Sequence, residues 1–282
     1  MALFDLILNL ASLLLWLNWR AIKFDPVAQS APATLVGTLR RAEPSRVRPW
    51  HSLLALAVLL FARAWFCWRM EPLAAWTPCL ELGVVAPPFR SDRFSLSLCY
   101  SVLSFGLLFA VFYFWLLFFS IINGRNPDAG PIQMLVRLHL GWLDRWWWPF
   151  KLVLPFLVAA GFWVAINPLL VGYNIVRPGD SMLRRMEQGA AIGAALYLSW
   201  QYLLYGLLLL HVLSSYVYMG RHPFWPFVAV TARNLLSPLR FLPLRIGKVD
   251  LAPVLAIVLI FFGAGFAQRK LIMLYSRLAG GS

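Results

Sequence analysis

Six apolar runs constrain this chain more than any other feature. They lie at about 3–22, 50–70, 94–122, 151–172, 189–218 and 250–268. Roughly 20 consecutive apolar residues are what a helix needs to cross a bilayer. Across the whole chain of 282 residues, 61% are hydrophobic, whereas soluble domains run nearer 45–50% apolar. The expected fold is therefore all-α and polytopic: six transmembrane helices whose lipid-embedded bundle is the folding unit. Two of the runs approach 30 residues and must tilt or protrude from the hydrocarbon. The first run carries Asp5 and has no Lys or Arg ahead of it, which is the wrong charge pattern for a cleaved leader. It reads as a retained helix, despite the small residues Ser30-Ala31-Pro32-Ala33 that follow.

The charge balance is +14, from 25 Lys and Arg against 11 Asp and Glu. In a soluble protein this would suggest nucleic acid as partner. Here the cations flank apolar runs, so anionic lipid headgroups are the expected partner and nucleic acid is not. Many of the 14 Trp residues sit at run ends (Trp16, Trp19, Trp50, Trp68, Trp146, Trp147, Trp148, Trp225), where interfacial aromatic belts form. The connections 20–49, 123–151 and 219–249 hold 15 of the 25 cations; 69–93, 173–188 and the tail from 269 hold 9. The positive-inside rule puts the first set in the cytoplasm and both termini outside, in a multi-pass protein of the inner (cytoplasmic) membrane. Cys67, Cys79 and Cys99 form no CxxC pair. They read as small apolar residues or lone thiols, with a disulfide in or beside the outer loop left open.

The second run of each pair starts near residue 50, 151 or 250, a spacing close to 100. Each start follows a proline-containing lead-in (Pro32, Pro131, Pro226), a short mixed apolar and basic segment, and a break. The pattern predicts three span–linker–span units: 1–70, 94–172 and 189–268. Outer loops at 69–93 and 173–188 separate them, and a tail at 269–282 follows. The alternative is three unrelated long loops. In the middle linker, Val136, Leu140 and Leu143 share one helical face, with Arg137, Asp144 and Arg145 near the other. Such a helix would lie at headgroup depth with its apolar face down, and Arg40, Arg41, Arg137, Arg145, Arg240, Arg245 and Lys248 would contact headgroups.

The third linker ends in NLLSPLRFLPLRIGKVDLAP, residues 234–253. Pro238 and Pro243 stop a helix. Gly247 permits a turn, Asp250 stands where the N-cap of the next span belongs, and Pro253 falls in that span's first turn. The spacing Pro238-Leu239-Arg240, Gly247, Asp250-Leu251-Ala252-Pro253 resembles the signature of the YggT family of small bacterial and plastid membrane proteins, roughly P-[LI]-R-R-[IV]-[IL]-P-x-x-G-G-[IV]-D-[FL]-S-P. Phe241, Lys248 and Ala252 depart from it, and Pro243 stands one position early. Only the last third of the chain carries the resemblance, and a third unit would make this an enlarged relative. The resemblance implies an integral membrane protein without a catalytic residue set, of a kind linked to osmotic or ionic tolerance, to cell-division or nucleoid organisation, or to assembly of membrane complexes.

Intramembrane charge is the usual pointer to function. Arg63 lies about six residues from the predicted outer end of its span. Snorkelling to that surface is the favoured reading, and a carboxylate or anion partner inside the bundle is the sharper one. Asp5 and His211 read as interfacial groups; Asn9, Asn18, Asn167 and Gln201 read as interhelical glue. Small residues around Gly189 and Gly193, and Gly263 with Ala267, suit close packing or self-association. The four scattered histidines and the absence of nucleotide or hydrolase motifs argue against a metal, a cofactor and an enzyme. The expected function is a non-enzymatic scaffold or assembly factor at the cytoplasmic membrane face, with other membrane proteins as partners. The alternative is a transporter or channel for ions or osmolytes.

Overall fold

The computed structural model describes residues 2–23, 49–74, 77–89, 93–124, 131–176, 181–217, 220, 222–239, 245–246 and 249–280. In chain order its elements are α1 (Ala2–Lys23), α2 (Pro49–Ala74), α3 (Phe94–Asn123), α4 (Pro131–Leu140) with a 3₁₀ turn (Gly141–Arg145), α5 (Trp148–Gly172), α6 (Met182–Leu196), α7 (Ser199–Tyr216), α8 (Phe224–Leu235) with a 3₁₀ turn (Ser237–Leu239), strands β1 (Arg245–Ile246) and β2 (Val249–Asp250), and α9 (Ala252–Gly280). Among the described residues, six helical runs are long and apolar enough to cross a membrane; α6 and α7 together make the fifth. Their outer faces are apolar too. On α9, Phe261 is 63% exposed, Phe262 69% and Phe266 65%. A surface like this is stable only against hydrocarbon. The chain is an all-helical multi-pass membrane protein, and among the described residues its strands amount to one pair of two residues each.

The chain divides into two compact units. One holds Met1–Leu80 and Pro88–Phe109: α1, α2 and the first half of α3. Here α1 packs along α2, and Phe4–Phe66, Trp16–Phe109 and Phe61–Phe94 ring contacts fill between the helices. An isolated bridge joins Cys79 to Pro88. Next to it the Phe89 N–H reaches the Pro78 carbonyl at 2.8 Å, seating the fully buried Phe89 ring 5.7 Å from that of Tyr100.

The other unit holds Glu81–Pro87 and Ala110–Ser282. Its tightest packing is α5 against α6, and glycine makes it possible. A Cβ at Gly189 would stand 2.8 Å from the Ala160 carbonyl oxygen, and one at Gly193 would stand 2.9 Å from that of Phe156. α9 lies against α6 and α7, and α7 against α8. Leu208, Leu236 and Ala256 form one core, and Leu117, Val136 and Leu140 another.

A straight 35-residue helix would run about 52 Å, well beyond a ~30 Å hydrocarbon core. The run Met182–Tyr216 is in fact interrupted. At Tyr197–Leu198 the hydrogen bonds shorten to the i→i+3 type: Tyr197 to Ala194 at 3.2 Å, Leu198 to Ala195 at 3.0 Å, Trp200 to Tyr197 at 3.1 Å and Gln201 to Leu198 at 3.2 Å. A mid-helix 3₁₀ stretch of this kind needs support from its neighbours. Trp200 stacks on Phe114 (4.5 Å, 12°), and the Tyr197 hydroxyl donates to the Leu152 carbonyl in α5. That carbonyl lies in the turn that Pro155, which lacks an N–H, leaves loosened.

Two expectations change here. The apolar face of α4 does not lie on lipid: Val136 and Leu140 pack on Leu117, with Tyr113, Leu116 and Phe119 around them. Asp250 does not abut the last span. It pairs with Arg245 across β1 and β2, as Ile246 does with Val249, and α9 begins at Ala252 with Pro253 buried in its first turn.

Candidate functional site: a buried charge network

Three helices of the first unit each contribute two residues spaced i, i+4, the spacing that stacks side chains on one face. α1 brings Asp5 and Asn9, α2 brings Arg63 and Cys67, and α3 brings Tyr100 and Ser104. Arg63 is 2% exposed, Asp5 9%, Asn9 8% and Tyr100 3%, while Cys67 is fully buried. Arg63 lies seven residues before Met70, where the apolar window ends, or about 10 Å along the helix axis.

The guanidinium is held by four hydrogen bonds. Nε and Nη2 donate to Asp5 Oδ1 at 3.2 and 3.0 Å, Nη1 to Asn9 Oδ1 at 2.6 Å, and Nη2 also to Ser104 Oγ at 3.0 Å. Asn9 Nδ2 donates to the same Ser104 oxygen at 2.9 Å, and the Tyr100 hydroxyl donates to Asp5 Oδ2 at 3.2 Å. The guanidinium also lies 5.2 Å from the Tyr100 ring centroid, within cation–π range. The snorkelling expectation for Arg63 fails, because Asp5 on the adjacent helix supplies a carboxylate inside the bundle. For Asp5 the interfacial reading gives way to a 3.0 Å ion pair. Burying two charges is costly, and only close pairing with further hydrogen bonds offsets that cost. The network has both. It ties three spans together and leaves a net-neutral polar core within an apolar unit.

The second unit has a counterpart at the linker. Lys151, in the first turns of α5 and 6% exposed, donates to Ser120 Oγ at 2.7 Å and to the Asp144 carbonyl at 2.6 Å. Ser120 donates to Asp144 Oδ1 at 2.5 Å, and Arg137 Nε lies 3.6 Å from Asp144 Oδ2. The 3₁₀ turn after α4 is thereby clamped to α3 and α5. Nearby, Asn123 Nδ2 donates to Thr231 Oγ1 at 2.8 Å, and Asn234 Nδ2 donates to Asn123 Oδ1 at 3.1 Å, fixing the end of α3 to α8.

Of the basic residues read as headgroup contacts, Arg145 is exposed, and the Arg137 side chain is 40% exposed beside Asp144. Arg245 is placed by its backbone pairing alone, and Arg40, Arg41, Arg240 and Lys248 lie outside the described residues. Of the motif positions, Pro238 is exposed, Pro253 is buried and Gly247 lies outside the described residues. Asn18 donates to Ser52 Oγ at 3.2 Å and Asn9 joins the charge network, so both act between helices. Asn167 does not: it is fully buried and neither of its amide atoms has a partner. The three cysteines are free, and among the described residues no three His, Cys, Asp or Glu side chains gather as a metal site would require. Sequence reasoning did not reach Lys151 or Tyr100. The available signal was the i, i+4 recurrence of polar residues in three neighbouring spans.

Compared with family models, with curated proteins and with solved structures, the chain finds no match, so its architecture and its polar networks carry the functional reading.

Proposed function

We propose that this chain is a non-enzymatic scaffold or assembly factor of the cytoplasmic membrane, with its basic linkers on the cytoplasmic side and both termini outside. The observation that carries this reading is the two-faced linker helix α4. One face is fixed to protein through Val136, Leu140 and the Asp144 clamp. The other presents Met134, Leu135, Leu138 and Trp142 outward, and Arg137 and Arg145 lie in the same segment. A rigid amphipathic shelf at headgroup depth suits binding to anionic lipid and to the flanks of other membrane proteins. The YggT-like spacing around Pro238–Pro253 and the three-unit repeat fit the same role. The lipid selectivity of the reconstituted linker variants tests it: charge reversal at Arg137 and Arg145 should lower the enrichment of anionic over neutral lipid around the protein in mixed vesicles. An unchanged preference removes the headgroup role of this linker.

A second reading, transport of ions or osmolytes, is favoured by one observation. The fifth span is interrupted at Tyr197–Leu198, opposite the Pro155 turn of α5. Transporters place discontinuous helices at their substrate sites. Proteoliposome flux under a K⁺ or osmotic gradient separates the readings; robust flux through the wild-type protein would overturn the scaffold.

A further inference from the structure

The second unit contains polar atoms that its packing leaves unanswered. Trp163 and Asn167 stand one turn apart on α5, 3% and 0% exposed, and Gln188 on α6 is 2% exposed. Trp163 Nε1, Asn167 Nδ2 and Oδ1, and Gln188 Oε1 have no hydrogen-bond partner. They lie along the seam where α5, α6 and the end of α9 meet. Gly189, next to Gln188, abuts Ala160 and Val164 of α5, on either side of Trp163 in sequence. Both helices also meet the same end of α9: the Trp163 ring lies 6.4 Å from that of Tyr275, and Gln188 Nε2 lies 3.5 Å from the Leu278 carbonyl. Pro168 adds to the imbalance, since it cannot donate to the Val164 carbonyl one turn back.

Buried polar groups without partners are rare in proteins and call for a specific explanation, an unseen guest among them. The pattern of orphan atoms selects the guest. Two side chains offer donors (Trp163 Nε1, Asn167 Nδ2) and two offer acceptors (Asn167 Oδ1, Gln188 Oε1). An anion would leave the acceptors unanswered, and a cation would leave the donors unanswered. A hydroxyl group or water answers both, because each donates and accepts. We propose that Trp163, Asn167 and Gln188 form an interhelical pocket for a small uncharged hydroxylic molecule, either water or a small polyol. The pocket is separate from the Arg63 network and does not depend on the scaffold reading.

The test is radiolytic hydroxyl-radical labelling of the full chain in phospholipid nanodiscs, in ¹⁸O-water, read residue by residue by mass spectrometry. Trp163 should label within a few-fold of exposed Trp147, far above what 3% exposure allows. Asn167→Leu and Gln188→Met should each lower Trp163 labelling several-fold while Trp147 stays constant, which also reports that the fold is retained. Adding glycerol distinguishes the two sources: a selective further fall at Trp163 marks a polyol site, and an unchanged Trp163-to-Trp147 ratio marks water. Background labelling of Trp163 in the wild-type chain overturns the proposal, since the pocket is then dry. That arm needs no variant to fold.

Discussion

Replacing Arg63 with leucine isolates the energetics of the buried network. The substitution removes four hydrogen bonds and leaves the Asp5 carboxylate with only the Tyr100 hydroxyl, in a site where Asp5 is 9% exposed. Hydrogen bonds to charged groups are individually worth about 1.5–3 kcal/mol, so a naive sum exceeds 6 kcal/mol. That sum overcounts, because Asn9 and Ser104 remain bonded to each other at 2.9 Å. Stranding one member of a buried pair has a characteristic cost of about 3–5 kcal/mol, and Arg63→Leu should fall near 4 kcal/mol, or about a thousandfold in the unfolding equilibrium. The double variant Asp5→Leu, Arg63→Leu removes both charges. It should return to within about 1 kcal/mol of wild type, the residual deficit being the Tyr100 hydroxyl left without its acceptor. Reversible unfolding in mixed micelles, run as a double-mutant cycle, reads all four corners. A single-variant loss below about 1 kcal/mol, or a double variant as unstable as the two losses added, would refute the coupling inferred from the geometry.

Further tests address other parts of the fold. Gly189→Ala places a Cβ 2.8 Å from a backbone carbonyl that cannot swing away, so α5 and α6 must separate; a loss of about 1–3 kcal/mol is expected as a lowered melting midpoint. Tyr197→Phe keeps the ring against Phe114 and Trp200 but removes the bond to the Leu152 carbonyl, with an expected loss of about 1 kcal/mol in the same unfolding assay. Asp144→Ala removes the side-chain bond from Ser120 and the ion pairs with Arg137 and Lys151, leaving only the Lys151 bond to the backbone carbonyl, so trypsin should cut after exposed Arg145 faster in membranes. Exposed Cys79 should react with a membrane-impermeant maleimide added from outside if the 69–93 loop is external, whereas fully buried Cys67 should resist the reagent from either side.

The spans were legible because a membrane crossing is written in composition: twenty apolar residues in a row suffice, and no partner need be known. Pairing was not. Whether Arg63 faces lipid or Asp5 depends on the rotation of two helices about their axes, and an isolated span carries no record of its neighbour. The same applies to α4. Periodicity announces an apolar face at Val136 and Leu140 but cannot say whether lipid or Leu117 covers it. The interruption at Tyr197–Leu198 has no Pro or Gly at the site itself; its supporting contacts come from Phe114 and Leu152 in other helices, which no local pattern announces. At Asp250 the residue type suggested an N-cap, but the two-residue strand pair with Arg245 holds it in β2 and the helix starts beyond it.

The charge network also bears on how the chain enters the membrane during synthesis. Asp5 emerges from the ribosome 58 residues ahead of the arginine that neutralises it. A lone Asp costs about 2.5–3.5 kcal/mol at the centre of an inserting helix and less toward its end. The span that carries it has the lowest hydropathy of the six apolar windows among the described residues. The first helix is therefore poorly suited to insert alone. Its carboxylate is neutralised only once Arg63 has been made, so pairing of the first two spans should favour their insertion together, as a hairpin.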